Sequence, residues 1–222
     1  MSLQIEYHQN NQIKSEVFIN NNKKEGEYKE YYDNGQLYIK CYYIDDLLNG
    51  EYTKYINNNK IIVICNYTND ILNGKYIEYD KYNKNQIRIS CNYTNGVLDG
   101  EYIEHKLTYN DNDYSFYKDK IINYKNGKKN GAYIEYDDGY IKIYCNYIDD
   151  KLEGKYKQYW CDDFDIECYY VNNKRENINK IYKQNNEYII NNYINNKIIK
   201  SYEISDDYII VCDYRYIKKE KN

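Results

Sequence analysis

The sequence predicts an all-β protein: an elongated single sheet of stacked antiparallel β-hairpins, with almost no helix. Three observations carry this. A Gly-x-Tyr-x-x-Tyr start recurs along the chain, at Gly26, Gly50, Gly74, Gly131 and Gly154, and at Gly100 with His105 in the second aromatic place; the steps are 24, 24, 26, 31 and 23 residues. A second signature, Cys-x-Tyr, follows each start at Cys41, Cys65, Cys91, Cys145 and Cys168, with Ile122/Tyr124 in the Gly100 copy. The residues before each Cys alternate apolar and polar, as in Ile87, Ile89 and Cys91 against Arg88 and Ser90. A fixed period near 24 residues marks a repeat array, and period-two alternation rich in β-branched and aromatic residues marks a half-buried strand.

Each element follows in order. The segment after the Gly is a short first strand, whose two Tyr lie three apart and so face opposite sides unless a bulge intervenes. Asn34-Gly35 and Asp138-Gly139 then provide tight turns into the second strand, a strong short-range hairpin signal. The return turns run as in Asn95-Gly96, and Leu48, Leu72, Leu98 and Leu152 lie two residues before the next Gly, a predicted contact between neighbouring hairpins. A Gly opening each copy implies a positive φ or a close backbone approach. Six clear repeats span 26–176 of a single repeat domain, 1–222. Residues 1–25 form a degenerate N-terminal cap, with Val17 in the Cys place. Residues 177–222 hold degenerate repeats and a C-terminal cap, with Asn177 in the Gly place, Asn191 and Cys212 following, and Tyr214 in the last copy. The Gly100 copy carries about seven extra residues, placed between its two strands around Asn110, Asp111, Asn112 and Asp113. Inserted loops in repeat arrays often carry function.

Composition narrows the function classes. The 222 residues include 35 Tyr, no Pro and one Trp, and the formal net charge is −4. That balance lacks the basic stripe of a nucleic-acid binder. The abundance of Asn, Lys, Ile and Tyr, all with AT-rich codons, points to an AT-rich genome. No apolar run suggests a leader or a membrane span, so the expected location is cytoplasmic, or the host cytoplasm or virion if the AT-rich source is a virus.

At Gly26-Glu-Tyr-Lys-Glu-Tyr-Tyr-Asp-Asn-Gly35-Gln-Leu, continued through Tyr43 to Gly50, the chain resembles the MORN repeat, in the variant of antitoxin-like proteins and of large DNA viruses. It departs in its recurrent Cys, in Asp or Asn at some turn Gly places, and in the long Gly100 copy. The resemblance implies a β-hairpin array used for scaffolding, protein contact or, by family analogy alone, membrane lipid contact, and it carries over no catalytic residue.

Candidate chemistry is sparse. Seven Cys without a leader do not make a disulfide framework. Equivalent Cys on alternate strands would lie about 9.6 Å apart at ~4.8 Å per strand, beyond disulfide reach, so they read as small buried core residues. Cys161 and Cys168 are the one pair within a hairpin. Neither His8 nor His105 has a catalytic setting, the recurrent Glu30, Glu78, Glu104 and Glu135 suggest a solvated strand face, and Lys218 to Lys221 suggest a charged tail. No enzyme activity, metal or cofactor is expected. The expected function is a non-enzymatic scaffold or protein-interaction module with a protein partner. The alternative is a carbohydrate or cell-wall ligand held on a tyrosine-lined surface. In either case the candidate interaction surface is Tyr28, Tyr52, Tyr76, Tyr102, Tyr133 and Tyr156. The stripe Leu37/Ile39/Cys41 and its counterparts should share one face, covered by curling of the sheet or by a second copy in a homodimer; Ile89 should be buried, with Arg88 and Ser90 on the other side.

Overall fold

A computed structural model describes residues 1–82, 86–110, 113–160, 165–183, 187–206 and 208–213, with the side chains at 109, 110, 113 and 114 excepted. Cys161, Phe164, Tyr214 and the Lys218–Lys221 tail lie outside the described residues. The protein is all-β, an open antiparallel sheet of hairpins in succession. One single-turn 3₁₀ segment, Asn57–Asn59, is the helical content of the described residues.

The chain forms two compact units, Met1–Phe116 and Tyr117–Asn222. The first holds β1 (Ser2–Tyr7), β2 (Ile13–Asn20), β3 (Lys23–Tyr31), β4 (Leu37–Ile44), β5 (Leu47–Leu48), β6 (Gly50–Ile56), β7 (Lys60–Thr68), β8 (Ile71–Tyr79), β9 (Ile87–Thr94), β10 (Val97–Leu98) and β11 (Gly100–Asn110). Strand β12 (Asp113–Lys125) runs across the division. The second unit continues with β13 (Lys128–Asp137), β14 (Tyr140–Ile148), β15 (Lys151–Leu152), β16 (Gly154–Gln158), β17 (Ile166–Val171), β18 (Lys174–Tyr182), β19 (Tyr188–Ile194), β20 (Lys197–Ile204) and β21 (Ile209–Asp213). Within each unit, successive hairpins pair edge to edge, as β1 with β2, β2 with β3 and β3 with β4. The extra residues of the Gly100 copy lengthen β11 and β12 rather than forming a long loop; Asp111 and Asn112 lie outside the described residues. Tyr102, Thr108, Phe116 and Tyr117 explain this, being residue types that favour extended backbone.

Turn chemistry matches the repeat. The return turns hold two successive left-handed residues, as in Asp45-Asp46 (φ 51 and 71), Asp149-Asp150 (48 and 65) and Asn195-Asn196 (49 and 67). Two positive φ values define the hairpin turn whose twist suits the strands, and Asn, Asp and Gly tolerate it. Asp and Asn at these places do more than tolerate the turn. The backbone N–H of Asp46 donates to the Lys24 carbonyl at 3.0 Å, and its carboxylate accepts from the Lys24 N–H at 2.7 Å. Asp70 grips Leu48, Asp150 grips Lys129 and Asn173 grips Leu152 in the same two-bond way. The predicted contact at Leu48 and Leu152 is therefore real but is made by their backbones. The opening glycines take positive φ, from 82° at Gly154 to 109° at Gly131, and Asn177 replaces one with φ 63°.

The core is one residue thick. Cys41, Cys65, Cys91, Cys145 and Cys168 are 1–4% exposed, with Val17 and Ile122 close behind. Register puts each Cys opposite a tyrosine: Tyr28↔Cys41, Tyr52↔Cys65, Tyr76↔Cys91, Tyr133↔Cys145 and Tyr156↔Cys168. The cysteines are buried within a single chain. Late in the second unit the same places hold Asn179 opposite Asn191, both buried.

A bulge corrects the predicted stripe. Glu30 pairs with Ile39 but Tyr31 pairs with Leu37, leaving Tyr38 as an extra residue. Lys14, Ile62, Arg88 and Lys142 are extra in the corresponding places. An extra residue breaks the alternation, so Leu37, Ile61, Ile87 and Ile141 pair with the second tyrosines, not with the Cys face. Arg88 reaches Glu78 and Glu104, the residues that flank Ile89 in register. It thus lies on the face of Ile89, not the opposite one, and Ile89 itself is only half-buried.

Candidate functional site

The six tyrosines singled out by the repeat are structural first. Tyr28, Tyr52, Tyr76, Tyr133 and Tyr156 each meet the tyrosine of the Cys-x-Tyr signature edge to face, with ring centroids 5.6–6.0 Å apart. These pairs cover the Cys row. Five of the six hydroxyls are satisfied two residues along: Tyr28 donates to Glu30, Tyr76 to Glu78, Tyr102 to Glu104, Tyr133 to Glu135 and Tyr156 to Gln158. The recurrent glutamates therefore belong to the tyrosine face, and not to a separate solvated one. Residues two apart share a strand face, a signal available in the sequence. Burial, with Glu30 beside it, pushes the Tyr28 hydroxyl up to about 12. Burial alone pushes the Cys65 and Cys91 thiols up to about 11, holding them protonated and unreactive at neutral pH.

Basic side chains lie over the tyrosine pairs. Lys24 Nζ sits 5.2 and 5.0 Å from the Tyr28 and Tyr43 ring centres, and Lys129 stands likewise over Tyr133 and Tyr147. Arg175 covers Tyr170 and Tyr193. All three occupy the place gripped by the next return turn, so the clamp also fixes the cation.

His8 and Tyr32 occupy one place in successive copies and meet the backbone carbonyls of Tyr31 and Tyr55. His105 stacks on Phe116 at 5.3 Å, an aromatic substitute as its place in the repeat suggests. Asn110 ends β11 and Asp113 begins β12. Among the described residues no group of three or more His, Cys, Asp or Glu could hold a metal, and no helix is long and apolar enough to cross a membrane.

Two concave surfaces lie at the hairpin tips; others lie at the return turn beside Arg175 and Tyr193 and on the sheet at Lys40, Tyr42 and Glu51. In the first unit a groove of about 490 Å³ is lined by Tyr32, Tyr38, Lys54, Ile62, Tyr82 and Arg88, among others. Three of these, Tyr38, Ile62 and Arg88, are bulge residues. In the second unit a cavity of about 720 Å³ is lined by Asp137, Tyr140, Ile141, Lys142, Tyr159, Trp160 and Asp165. Lys142 is again the bulge residue, and Trp160 stands six residues after its Gly, the place of Tyr32. The spacing alone does not mark bulges, so neither groove was foreseen from sequence. No protein-family model matches the chain, and a search of curated proteins finds no match either.

Proposed function

We propose that the chain is a MORN-repeat-like, non-enzymatic scaffold that binds a protein partner in the cytoplasm through its hairpin-tip grooves. One observation carries this reading. The framework places repeat with little change (Gly, Tyr, Cys, Tyr and the clamp residue), whereas the bulge place varies in chemistry from Lys14 to Tyr38, Ile62, Arg88 and Lys142. A constant frame presenting variable side chains is suited to recognition, as loops on a rigid scaffold are. The tyrosine-row carbohydrate alternative is less well supported, because five of the six rings are already engaged by an edge-to-face partner and all six are half-buried.

The test is site-specific photo-cross-linking. A photoreactive residue at Tyr38 or Arg88, in the first-unit groove, should label one discrete partner in the source cell. The same probe at Ser90, on the other face, should not. Equal labelling at all three positions, or labelling of a glycan alone, would overturn the reading.

A further inference from the structure

The second-unit cavity has an unusual lining for a surface of this chain. Tyr140 is 77% exposed and Trp160 50% exposed. Tyr159 and Ile141 complete an exposed apolar and aromatic patch. Around it stand the carboxylates of Asp137 and Asp165. Among the described lining residues the one cation is Lys142, which is divided between Glu135 at 3.8 Å and Asp137 at 3.9 Å. Among the described lining residues two carboxylates, Asp137 and Asp165, thus stand against one ammonium around exposed aromatic rings.

Resting on the interaction-scaffold reading above, we propose that this cavity binds an arginine-bearing segment of the partner protein. The charge around the rings is complementary to a cation. A guanidinium can stack on an indole or phenol face while a carboxylate takes its N–H fork. The chain already uses this chemistry internally, with Arg175 between Tyr170 and Tyr193 and Lys54 over Tyr38. A neutral sugar would also stack on the rings but gains nothing from the excess of negative charge. Arginine is favoured over lysine because its planar group meets both ring and carboxylate at once.

Trp160 is the only tryptophan in the chain, so its fluorescence reads the cavity directly. The probe is a short arginine-glycine peptide, with the same peptide carrying citrulline as the neutral isostere. The arginine peptide should change Trp160 emission saturably, and less so as salt is raised. The double variant Asp137→Asn/Asp165→Asn should bind about tenfold more weakly, the scale expected for two partly exposed ion pairs. Lys142→Ala removes the competing ammonium and should bind several-fold more tightly, a gain that a damaged fold would not give. An equal response to the citrulline peptide or to a neutral oligosaccharide, or no saturable response in wild type and Lys142→Ala alike, would overturn the assignment. That failure would leave the scaffold reading standing, because cross-linking at Tyr38 and Arg88 tests a different groove.

Discussion

Asp150 offers the sharpest test of the turn clamp. Its backbone is left-handed (φ 65), its N–H donates to the Lys129 carbonyl at 3.0 Å, and its carboxylate accepts from the Lys129 N–H at 2.8 Å. Three substitutions separate conformation from bonding. Asp150→Ala loses the side-chain bond, worth about 0.5–1.5 kcal/mol, and leaves a β-carbon in the left-handed region without the short polar side chain that offsets its cost, roughly 1–2 kcal/mol. It should cost about 2–3 kcal/mol in all. Asp150→Gly keeps the backbone conformation without strain and loses the bond, so about 1 kcal/mol is expected. Asp150→Asn should be nearly neutral, because Asn173 and Asn196 make the same grip on Leu152 and Arg175. Urea unfolding followed by Trp160 emission, in the same unit, gives the midpoints. If Ala and Gly matched wild type, or if Asn were as costly as Ala, the clamp would not be what fixes the turn.

Further outcomes are expected. Arg88→Asp should destabilise by about 1–3 kcal/mol in chemical denaturation, since it removes the Arg88–Glu78 pair and sets a carboxylate beside Glu78 and Glu104; a change no larger than that of Ser90→Ala would refute the bulge geometry. Alkylation of the native protein, followed by mass spectrometry, should label the exposed Cys212 well before Cys41, Cys65, Cys91, Cys145 and Cys168. Cys145→Ser should cost more than Cys145→Ala, by about 1–3 kcal/mol against native unfolding, because it buries a hydroxyl in the apolar row. Stability should also fall at alkaline pH. The Cys65, Cys91 and Cys145 thiols rise by burial from 9.0 to about 11, and Tyr28, Tyr31, Tyr43 and Tyr76 rise, chiefly by burial, from 10.0 to about 12. The folded state then holds protons that the unfolded state has lost, so stability is intact below pH 9 and declines between 9 and 12. Tyrosinate absorbance and circular dichroism should change together as pH is raised; tyrosines that ionise near 10 without loss of structure would contradict this.

The repeat made most of the architecture legible. Period-two runs, Asn-Gly turns and the opening Gly each report a local backbone need, and even Asn177 is identifiable as the stand-in for a glycine because it adopts the same left-handed region. The bulge was not legible for an equally physical reason. Lys14, Tyr38, Ile62, Arg88 and Lys142 share no chemistry, and Leu37 and Ile39 are both apolar, so the pattern looks unbroken across a register shift. The clamp was hidden in a different way. Asp46, Asp70 and Asn173 stand where the family resemblance puts glycine, and they appear as departures from a pattern rather than as hydrogen-bond partners of the copy before. The grooves depend on the bulge, so they stayed hidden with it.

The clamp has a kinetic corollary. It joins residues 22 apart at Asp46 and 21 apart at Asp150, so each grip closes a short segment of chain of nearly constant size. Loop-closure entropy is then about the same for each copy that carries the clamp, and none of these closures awaits contact between distant parts of the sequence. Folding dominated by such local closures is fast for a β-protein. Once one hairpin has formed, its neighbour can zip onto it from either side, in the manner of a one-dimensional chain of coupled switches. A whole copy can likewise be gained or deleted by recombination without disturbing the closures on either side; at Asn95-Gly96 the backbone bond from Gly96 N–H to the Leu72 carbonyl makes the closure without a side chain.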